Sequence, residues 1–340
     1  MKKPKNQPTT LFLILLIILF IPVHAASLTS KNTSSIQELI EKAAPGDTVL
    51  VEPGICHEDN ILIDKPLHLK GAGYDSTKII ATNSTEVIIK ITSDNVIIEG
   101  FTIMNGQAGI MIKNARNVII RGNKIIKNKE GIYLWNSHNN KIIGNILLQN
   151  NYSSICLWYS NFNLVFNNML NGTDTTNSTG ISYGIDIWSG NNNQIIANTM
   201  INNRRDIYVL IAKNNTFYRN NIMTPTFRVF IDRSECLWDY AEEGNFWQGY
   251  SSTDSDHDGI ADNPLCLDDL VIDNYPLMQP YKLGDVNHDG EINEYDLYTV
   301  AERFGSFRTQ EEYMGSADIW PDGIIDIRDI SIIARSFSQK

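Results

Sequence analysis

A short unit recurs through the middle of the chain and restricts the folds open to it. Successive runs of alternating apolar residues lie 22, 23, 30 and 22 residues apart, and they begin at Gly109, Gly131, Ser154, Gly184 and Asp206. One asparagine column keeps the same step (Asn123, Asn145, Asn168, Asn198, Asn220), and a partial column contains Asn128, Asn150 and Asn203. Periods of this length are typical of solenoids, whose units bury their apolar edges by stacking.

The repeated runs have the character of strands. They are three to five residues long, rich in Ile and Val, and alternate apolar with polar residues, which is the strand period and not the helical one. Asn at the bends tolerates left-handed backbone angles, and stacked Asn side chains can bond to one another. The sequence therefore predicts a mainly β fold, a right-handed parallel β-helix. Residues 171–180 lengthen one unit and are predicted to form a polar loop.

The N-terminal segment has the layout of a secretory signal peptide. Lys2, Lys3 and Lys5 precede an apolar run at 11–23, which is short for a membrane span. We predict a signal peptide at residues 1–25, with an uncleaved anchor as the alternative. The mature chain is then secreted, extracellular or at the cell surface, without a membrane span. Six Asn-X-Ser/Thr sites suit an exported glycoprotein, and they are Asn32, Asn83, Asn151, Asn171, Asn177 and Asn214.

Acidic residues are concentrated towards the C-terminus. Residues 251–340 carry 19 acidic and 6 basic residues, whereas residues 1–250 carry 20 acidic and 22 basic ones. An Asp-rich segment favours hard cations and argues against nucleic acid as a partner. We predict a β-helix with its caps at 26–281 and a small calcium-binding domain at 282–340.

The four cysteines allow one disulfide at most. Cys236 and Cys266 lie near each other at the end of the main domain, and we predict that they pair. Cys56 and Cys156 are about four coils apart, which is on the order of 20 Å at roughly 4.8 Å per coil. A disulfide tolerates a Cα separation below about 7 Å. These two are therefore expected to be buried or free thiols.

Alternation along each run assigns an outward face. It places Trp135, Trp158 and Trp188 in one column, and Met111, Tyr133, Cys156, Asp186 and Tyr208 in the column beside it. We predict a flat aromatic strip that stacks on sugar rings, with carbohydrate contacts from Tyr133, Trp135, Trp158, Asp186, Trp188 and Tyr208. Two alternatives stay open. The strip is covered by the inserted loop or neighbouring structure, or a bulge turns it inward.

A catalytic role would require carboxylates or a cation beside this strip. Asp186 faces outward, and Arg204, Arg205 and Asp206 open the next coil, but no second or third Asp is in register with Asp186. The alternative is that these groups are surface charges on a solvated face. No catalytic residue is predicted.

The clearest metal motif is a loop of twelve residues that begins at Asp285. Oxygen donors occupy positions 1, 3, 5, 9 and 12, position 6 is Gly, and position 7 offers its backbone carbonyl. The predicted calcium ligands are Asp285, Asn287, Asp289, Glu291, Asn293 and Asp296. A helix is predicted to follow at 297–304.

Two further stretches repeat this spacing less completely. A second copy, followed by a helix at 330–337, supplies Asp318, Asp322, Ile324, Asp326 and Asp329, but Trp320 replaces the oxygen donor at position 3. A third stretch supplies Asp254, Asp256, Asp258 and Asp262, although its position 12 is Leu265. We predict calcium in both, with a solvated Asp-rich turn as the alternative for the third.

Several of these segments resemble known families. Ile36-Gln-Glu-Leu-Ile, Pro45-Gly-Asp-Thr-Val and Leu62-Ile-Asp-Lys-Pro-Leu resemble the carbohydrate-binding and sugar-hydrolysis β-helix family, whose fold is a pectate-lyase-like solenoid. Gly244-Asn-Phe-Trp and Asp273-Asn-Tyr-Pro-Leu resemble its NosD-like branch. A copper-handling role would need converging His, Met or Cys. The histidines of the predicted mature chain are scattered, at His57, His68, His138, His257 and His288.

The duplicated loop–helix unit at 283–340 resembles a type I dockerin, a small α-helical, EF-hand-like domain. The resemblance implies calcium-dependent folding and a cohesin-type partner. The positions credited with partner choice read Glu294-Tyr295 and Ile327-Arg328. A calcium-binding domain without a partner is the alternative.

Together these features predict a secreted calcium-binding β-helix that binds polysaccharide and docks through a dockerin. Degradation of that polysaccharide, as a lyase or a glycoside hydrolase, is left open. The alternative is a non-catalytic surface or adhesion module with structural calcium.

Overall fold

The computed structural model describes residues 27–29, 35–172, 182–224 and 228–337. The predicted signal peptide at 1–25, the sites Asn32 and Asn177, and most of the predicted insertion lie outside these residues.

The chain consists mainly of short strands. The N-terminal part forms β1 (Ser27–Thr29), the helix α1 (Ile36–Lys42), β2 (Thr48–Val51), β3 (Gly54–His57), β4 (Ile61–Ile63), β5 (His68–Gly71), β6 (Thr77–Ile80), β7 (Val87–Ile91), β8 (Ile97–Glu99), β9 (Thr102–Met104) and β10 (Ala108–Lys113). The middle part forms β11 (Ile119–Arg121), β12 (Lys124–Ile126), β13 (Glu130–Trp135), β14 (Lys141–Ile143), β15 (Ile146–Leu148), β16 (Ser153–Trp158), β17 (Leu164–Phe166), β18 (Met169–Asn171) and β19 (Tyr183–Trp188). The C-terminal part forms β20 (Gln194–Ile196), β21 (Thr199–Ile201), β22 (Arg205–Leu210), β23 (Lys213–Tyr218), β24 (Asn221–Ile222), β25 (Val229–Asp232), β26 (Glu235–Leu237), β27 (Phe246–Trp247), β28 (Leu265–Asp268), β29 (Val271–Asp273), α2 (Glu294–Glu302), a 3₁₀ turn (Gly315–Ala317) and α3 (Ile327–Phe337).

The strands stack into three parallel sheets that surround one core. Sheet A has the order β1-β2-β5-β8-β11-β14-β17-β20-β23-β26, sheet B runs from β27 to β3, and sheet C runs from β25 to β4. Each coil contributes one strand to each sheet, and about nine coils make the solenoid. The prediction of a mainly β, right-handed parallel β-helix is confirmed.

Equivalent residues of successive coils lie side by side inside this solenoid. Ile110, Ile132, Ile155, Ile185 and Ile207 pair in register from β10 to β22 and are fully buried. Because a single coil would leave such a column open to water, burial of the apolar column favours stacking.

Buried asparagines form the predicted ladders at the bends. The amide nitrogen and the Nδ2 of Asn145 both donate to Oδ1 of Asn168, at 2.9 and 3.0 Å. The same pair of bonds joins each rung from Asn123 to Asn245. Asn128 and Asn150 form a shorter ladder, whereas Asn203 bonds to Asp206 and the Leu170 carbonyl. A further ladder joins Asn140, Asn163, Asn193 and Asn215. This ladder was not among those predicted from the sequence.

The two ends of the solenoid are capped. At the N-terminal end α1 packs Ile36, Leu39 and Ile40 onto the core, and Ser35 accepts the Glu38 N–H at its first turn. At the other end the carboxylate of Asp273 accepts hydrogen bonds from Asn245 and from the Trp247 indole. This buried carboxylate therefore ends the longest Asn ladder and orients the cap.

The C-terminal part folds into a second, smaller helical unit. Its helices α2 and α3 pack on each other around Val286, Val300, Ile319, Ile325 and Ile333. The helix α2 begins three residues before the predicted 297, and α3 begins three residues before the predicted 330. The helical unit lies against the outer face of sheet A, where Phe166 and Trp320 belong to one apolar cluster. No helix within the described ranges is long and apolar enough to cross a membrane.

Candidate functional site

The register of sheet C confirms the predicted alignment of the three tryptophans. Trp135, Trp158 and Trp188 are direct partners in β13, β16 and β19, and they precede Leu210 of β22 in the same column. Trp135 is 38% exposed, whereas Trp158 and Trp188 are half-buried. We call these three residues the aromatic strip. Its edge remains accessible, so the alternative in which a bulge turns these side chains inward does not occur.

The aromatic strip is not flat. The Trp135 and Trp158 ring centroids are 5.1 Å apart with planes at 41°, and those of Trp158 and Trp188 are 5.7 Å apart with planes at 55°. Beyond the strip, Tyr208 stacks on Phe230 at 4.9 Å and 10°, with the Arg205 guanidinium over the Phe230 ring. The prediction of one flat platform is wrong, because each indole tilts to pack against the next.

The column beside the aromatic strip is buried despite its outward direction. Tyr133 is 7% exposed, Cys156 is 3% and Asp186 is 1%, whereas Tyr208 is half-buried. Neighbouring rings account for the burial of Tyr133, whose centroid lies 6.2 Å from those of both Trp135 and Trp158. The expectation of a solvated Asp186 was therefore wrong, whereas the sugar contacts of Tyr133 and Asp186 stay predictions.

Asp186 has few partners for a carboxylate. The Trp188 indole N–H hydrogen-bonds to it, the Cys156 Sγ lies 3.9 Å from its Oδ2, and its Oδ1 has no partner among the described residues. Burial raises the pKa of Asp186 to about 7, and the nearby Glu130 carboxylate also raises it. The group is therefore half-protonated near neutrality, which suits proton transfer or a donated hydrogen bond.

The Asp-rich loop at 254–262 brings together three of its four predicted ligands. One oxygen of each of Asp254, Asp256 and Asp258 lies within 4.8 Å of the others. Asp262 instead accepts the Ser255 hydroxyl at 2.7 Å. The three clustered carboxylates repel one another unless a cation or water separates them.

The loop at 285–296, which we call loop 1, has the form of a cation site. Oδ2 of Asp285 accepts the Gly290 N–H at 3.0 Å, and Oδ1 is buried without a partner in the described part of the chain. Asp289 accepts the Glu291 N–H, and Asn293 caps α2 through the Tyr295 N–H. Asp296 is fully buried and accepts the Val286 and Asn293 N–H groups. The orphaned oxygen of Asp285 and its oxygen-rich neighbours fit calcium.

The loop at 318–329, which we call loop 2, is arranged differently. Asp318 and Asp329 occupy the same two ends, but Asp322 and Asp326 both contact the Arg328 guanidinium. The Trp320 side chain at position 3 lies against the β-helix. Nothing in the described residues assigns a role to the Ile324 carbonyl.

The predicted disulfide is absent, because all four cysteines are free. Cys236 is half-buried against the main core, where burial raises its thiol pKa to about 12. Cys266 is exposed in β28, directly after the buried Leu265. Because neighbouring strand residues point to opposite sides, Cys266 faces away from that core. Cys56 and Cys156 are unpaired as expected.

Two family models match the chain in succession. The first, described as periplasmic copper-binding protein (NosD), matches residues 40–252, and the second, described as dockerin type I domain, matches residues 283–338. A cell surface glycoprotein of Methanothermus fervidus is 37% identical over 113 residues, which are 31% of this chain and 18% of that protein. The chain therefore matches less than a fifth of this curated relative.

Two solved structures have a similar solenoid. The catalytic domain of a GH87 alpha-1,3-glucanase in complex with nigerose gives a TM-score of 0.50 at 17% identity, over 63% of this chain and 46% of that one. An alginate lyase from Paenibacillus sp. gives 0.43 at 17% identity, over 66% and 94%. At these identities the likeness concerns the fold alone.

The copper named in the first family description has no matching set of His, Cys, Asp or Glu ligands among the residues that the structure describes. His68 pairs with Glu99, His138 accepts the Asn161 N–H, and His288 pairs with Glu243. Among His, Cys, Asp and Glu side chains in the ranges described, the only three that lie close enough together to share a metal ion are Asp254, Asp256 and Asp258. Hard carboxylates without His, Cys or Met favour calcium over copper.

Proposed function

The chain belongs to the NosD family and carries a type I dockerin domain at 283–338, and on this premise we propose that its β-helix binds polysaccharide while the dockerin attaches it to a cohesin-type domain. The protein is then an exported, calcium-binding surface or extracellular component. The aromatic strip carries the proposal for the β-helix, and loop 1 carries it for calcium.

The aromatic strip supports carbohydrate binding by its composition and position. Trp135, Trp158 and Trp188 recur once per coil on the outside of sheet C, and their indoles are 5.1 and 5.7 Å apart. Aromatic faces provide apolar area for the C–H groups of a sugar ring, and partly exposed apolar patches mark interaction sites. The tilt between the indoles favours a glycan whose successive rings also turn.

The dockerin supports attachment to a second protein. Tyr295 on α2 and Ile327 on α3 are each 64% exposed, and both occupy positions that the family credits with partner choice. Calcium in loop 1 would join Asp285 to Asp296 and so fix α2. Export is supported by the signal-like N-terminal sequence and by the surface location in the name of the Methanothermus relative.

A glycan array with the full chain tests the carbohydrate proposal. Binding to one group of related glycans, followed by product analysis on them, supports it and separates binding from degradation. The absence of binding across neutral and acidic polysaccharides would contradict it. Calorimetry with calcium and with chelator tests the metal, and an unchanged melting temperature would contradict the calcium proposal.

Catalysis is the second candidate because of Asp186. It lies beside the aromatic strip, has an unpartnered oxygen and titrates near neutrality, and Glu130 lies close enough to affect its pKa. Glycosidic cleavage usually employs two carboxyl groups, one with a raised pKa that acts as the acid and one that is ionised and acts as the nucleophile or base. If the chain cleaves the bound glycan, Asp186→Asn should abolish product release and preserve binding. Product release that survives this change would exclude Asp186 as the acid.

A further inference from the structure

Loop 1 and loop 2 of the dockerin differ in the hydrogen bonds that the carboxylate of their first aspartate accepts. In loop 1, Oδ1 of Asp285 is buried and unpartnered among the described residues. In loop 2, both oxygens of Asp318 are occupied. Its Oδ2 accepts the Gly323 N–H at 2.9 Å and the Tyr313 hydroxyl at 2.6 Å, and its Oδ1 accepts the Asp322 N–H at 3.3 Å. The Tyr313 hydroxyl therefore adds a hydrogen bond to Asp318, and the Asp322 N–H lies at the oxygen whose counterpart in Asp285 has no partner in the described part of the chain.

Loop 2 also contains a positively charged side chain, that of Arg328, which contacts two of the predicted calcium ligands. The Arg328 guanidinium binds Asp326 at 2.7 Å and contacts Asp322, so it neutralises the carboxylates at positions 5 and 9. Charge-assisted Arg–carboxylate bonds of this kind are among the stronger polar contacts in proteins. Arg328 is at position 11, and the matching residue of loop 1 is Tyr295, which has no charge to offer.

Position 3 of loop 2 has become a contact with the β-helix. Loop 1 has Asn287 there, whereas loop 2 has Trp320. The Trp320 ring lies edge-on to Phe166 at 5.5 Å, and the Lys141 Nζ lies 5.5 Å from the Trp320 centroid. Both partners belong to sheet A, so this side chain points to the solenoid.

A buried arginine of the β-helix binds the backbone at the start of loop 2. Arg219 is 1% exposed, pairs with Glu243 and donates to the Asp318 carbonyl at 3.0 Å. It also donates to the Gly315 carbonyl. Loop 2 is therefore held at positions 1 and 3 by groups of the solenoid.

We propose that loop 2 binds no calcium and instead docks the dockerin onto the outer face of sheet A. Arg328 replaces the ion at Asp322 and Asp326, and Trp320 and the Asp318 carbonyl form the contact. The proposal refines the proposed function, because the dockerin then carries one calcium ion, in loop 1, and has a fixed orientation on the β-helix.

Calcium counting on the full chain tests the metal part. Asp322→Ala/Asp326→Ala in loop 2 is compared with Asp289→Ala/Asn293→Ala, the same positions of loop 1, by equilibrium dialysis with calcium alone. The loop 2 variant should bind as many ions as the unaltered protein, and the loop 1 variant one fewer. Loss of one ion in the loop 2 variant would overturn the proposal. An unchanged count in the loop 1 variant would instead contradict calcium in loop 1.

A variant designed to create a calcium site in loop 2 provides a second test. Its expected result is a gain of one ion, which misfolding could not imitate. Trp320→Asn/Arg328→Ser restores an oxygen donor at position 3 and frees the carboxylates of Asp322 and Asp326. It should bind one calcium ion more than the unaltered protein. No gain, in a variant whose circular dichroism is unchanged, would overturn the claim that Trp320 and Arg328 exclude the ion.

Limited trypsin digestion tests the docking part. Cleavage after the exposed Lys282, between the two units, should become about tenfold faster in Trp320→Ala, because loss of the ring contact releases the dockerin more often. The matched control is Tyr298→Ala, which removes an exposed dockerin aromatic and should leave the rate unchanged. Equal rates in Trp320→Ala and the unaltered protein would overturn the docking role.

Discussion

The Trp320 ring packs edge-on against the Phe166 ring, with centroids 5.5 Å apart and planes at 81°. Phe166 is one member of an outward column of sheet A that changes character along the solenoid. The column is charged at Lys70, Glu99 and Arg121, and it becomes apolar at Ile143, Phe166, Ile196 and Tyr218. The apolar stretch lies where the helical unit and its connecting segment pack. The apolar part of this outer column is therefore covered by the helical unit and its connecting segment.

The first prediction concerns the ion pair beneath this contact. Arg219→Met should lower the free energy of unfolding by about 3–5 kcal/mol, because Glu243 would keep a buried charge without its main partner. Arg233→Met, which breaks an exposed pair with Asp232, should cost less than about 1 kcal/mol. Urea unfolding of both variants provides the comparison, and equal losses would show that Arg219 has no special structural role.

The second prediction concerns the longest Asn ladder. Asn168→Ala should destabilise the protein by about 2–4 kcal/mol, because the amide nitrogen and the Nδ2 of Asn145 both lose their buried acceptor. Asn151→Ala is the control, since Asn151 is exposed, and it should change stability by less than about 0.5 kcal/mol. The melting temperatures of the two variants give the answer. A tolerated Asn168→Ala would mean that the ladder is dispensable.

The third prediction concerns pH and Asp186. Its pKa is raised from 3.8 to about 7 in the folded protein, so the folded state holds this proton more tightly than the unfolded chain. The resulting stabilisation is complete below about pH 4 and is lost as the pH rises to about 7. Asp186→Asn should therefore be more stable than the unaltered protein at pH 8, by up to about 4 kcal/mol, with the difference closing at pH 4.

Urea unfolding at pH 4 and pH 8 measures this effect. Asp64→Asn, at an exposed position, is the control and should change stability by less than about 0.5 kcal/mol. If Asp186→Asn behaved in the same way as the control, burial of the Asp186 carboxylate would be excluded.

Several features of the fold could be predicted because they depend on spacing. The motif at the start of each repeat unit recurs in every coil and so predicts the strand register. That register places Trp135, Trp158 and Trp188 side by side. The ladder of Asn140, Asn163, Asn193 and Asn215 has the same spacing and could have been found in the same way.

Other features depend on what covers a side chain, which spacing does not reveal. Alternation placed Asp186 outside the core, but the structure buries it beside Cys156 and Trp188. The prediction of a Cys236–Cys266 disulfide was wrong for a similar reason. Closeness in sequence does not reveal on which face of β28 the Cys266 side chain lies. Trp320 was recognised as a missing donor, yet its partner Phe166 lies more than 150 residues away in sequence.

The most direct test of the account is the retention of the full chain on the glycan that it binds. Trp135→Ala/Trp188→Ala is compared with Tyr298→Ala, which alters an exposed aromatic of the dockerin. The strip variant should lose about tenfold or more in affinity, which is about 1.4 kcal/mol, while its circular dichroism spectrum stays that of the unaltered protein, and the control should bind normally. Unchanged retention of a strip variant that is folded by this measure would contradict a carbohydrate-binding role for the aromatic strip.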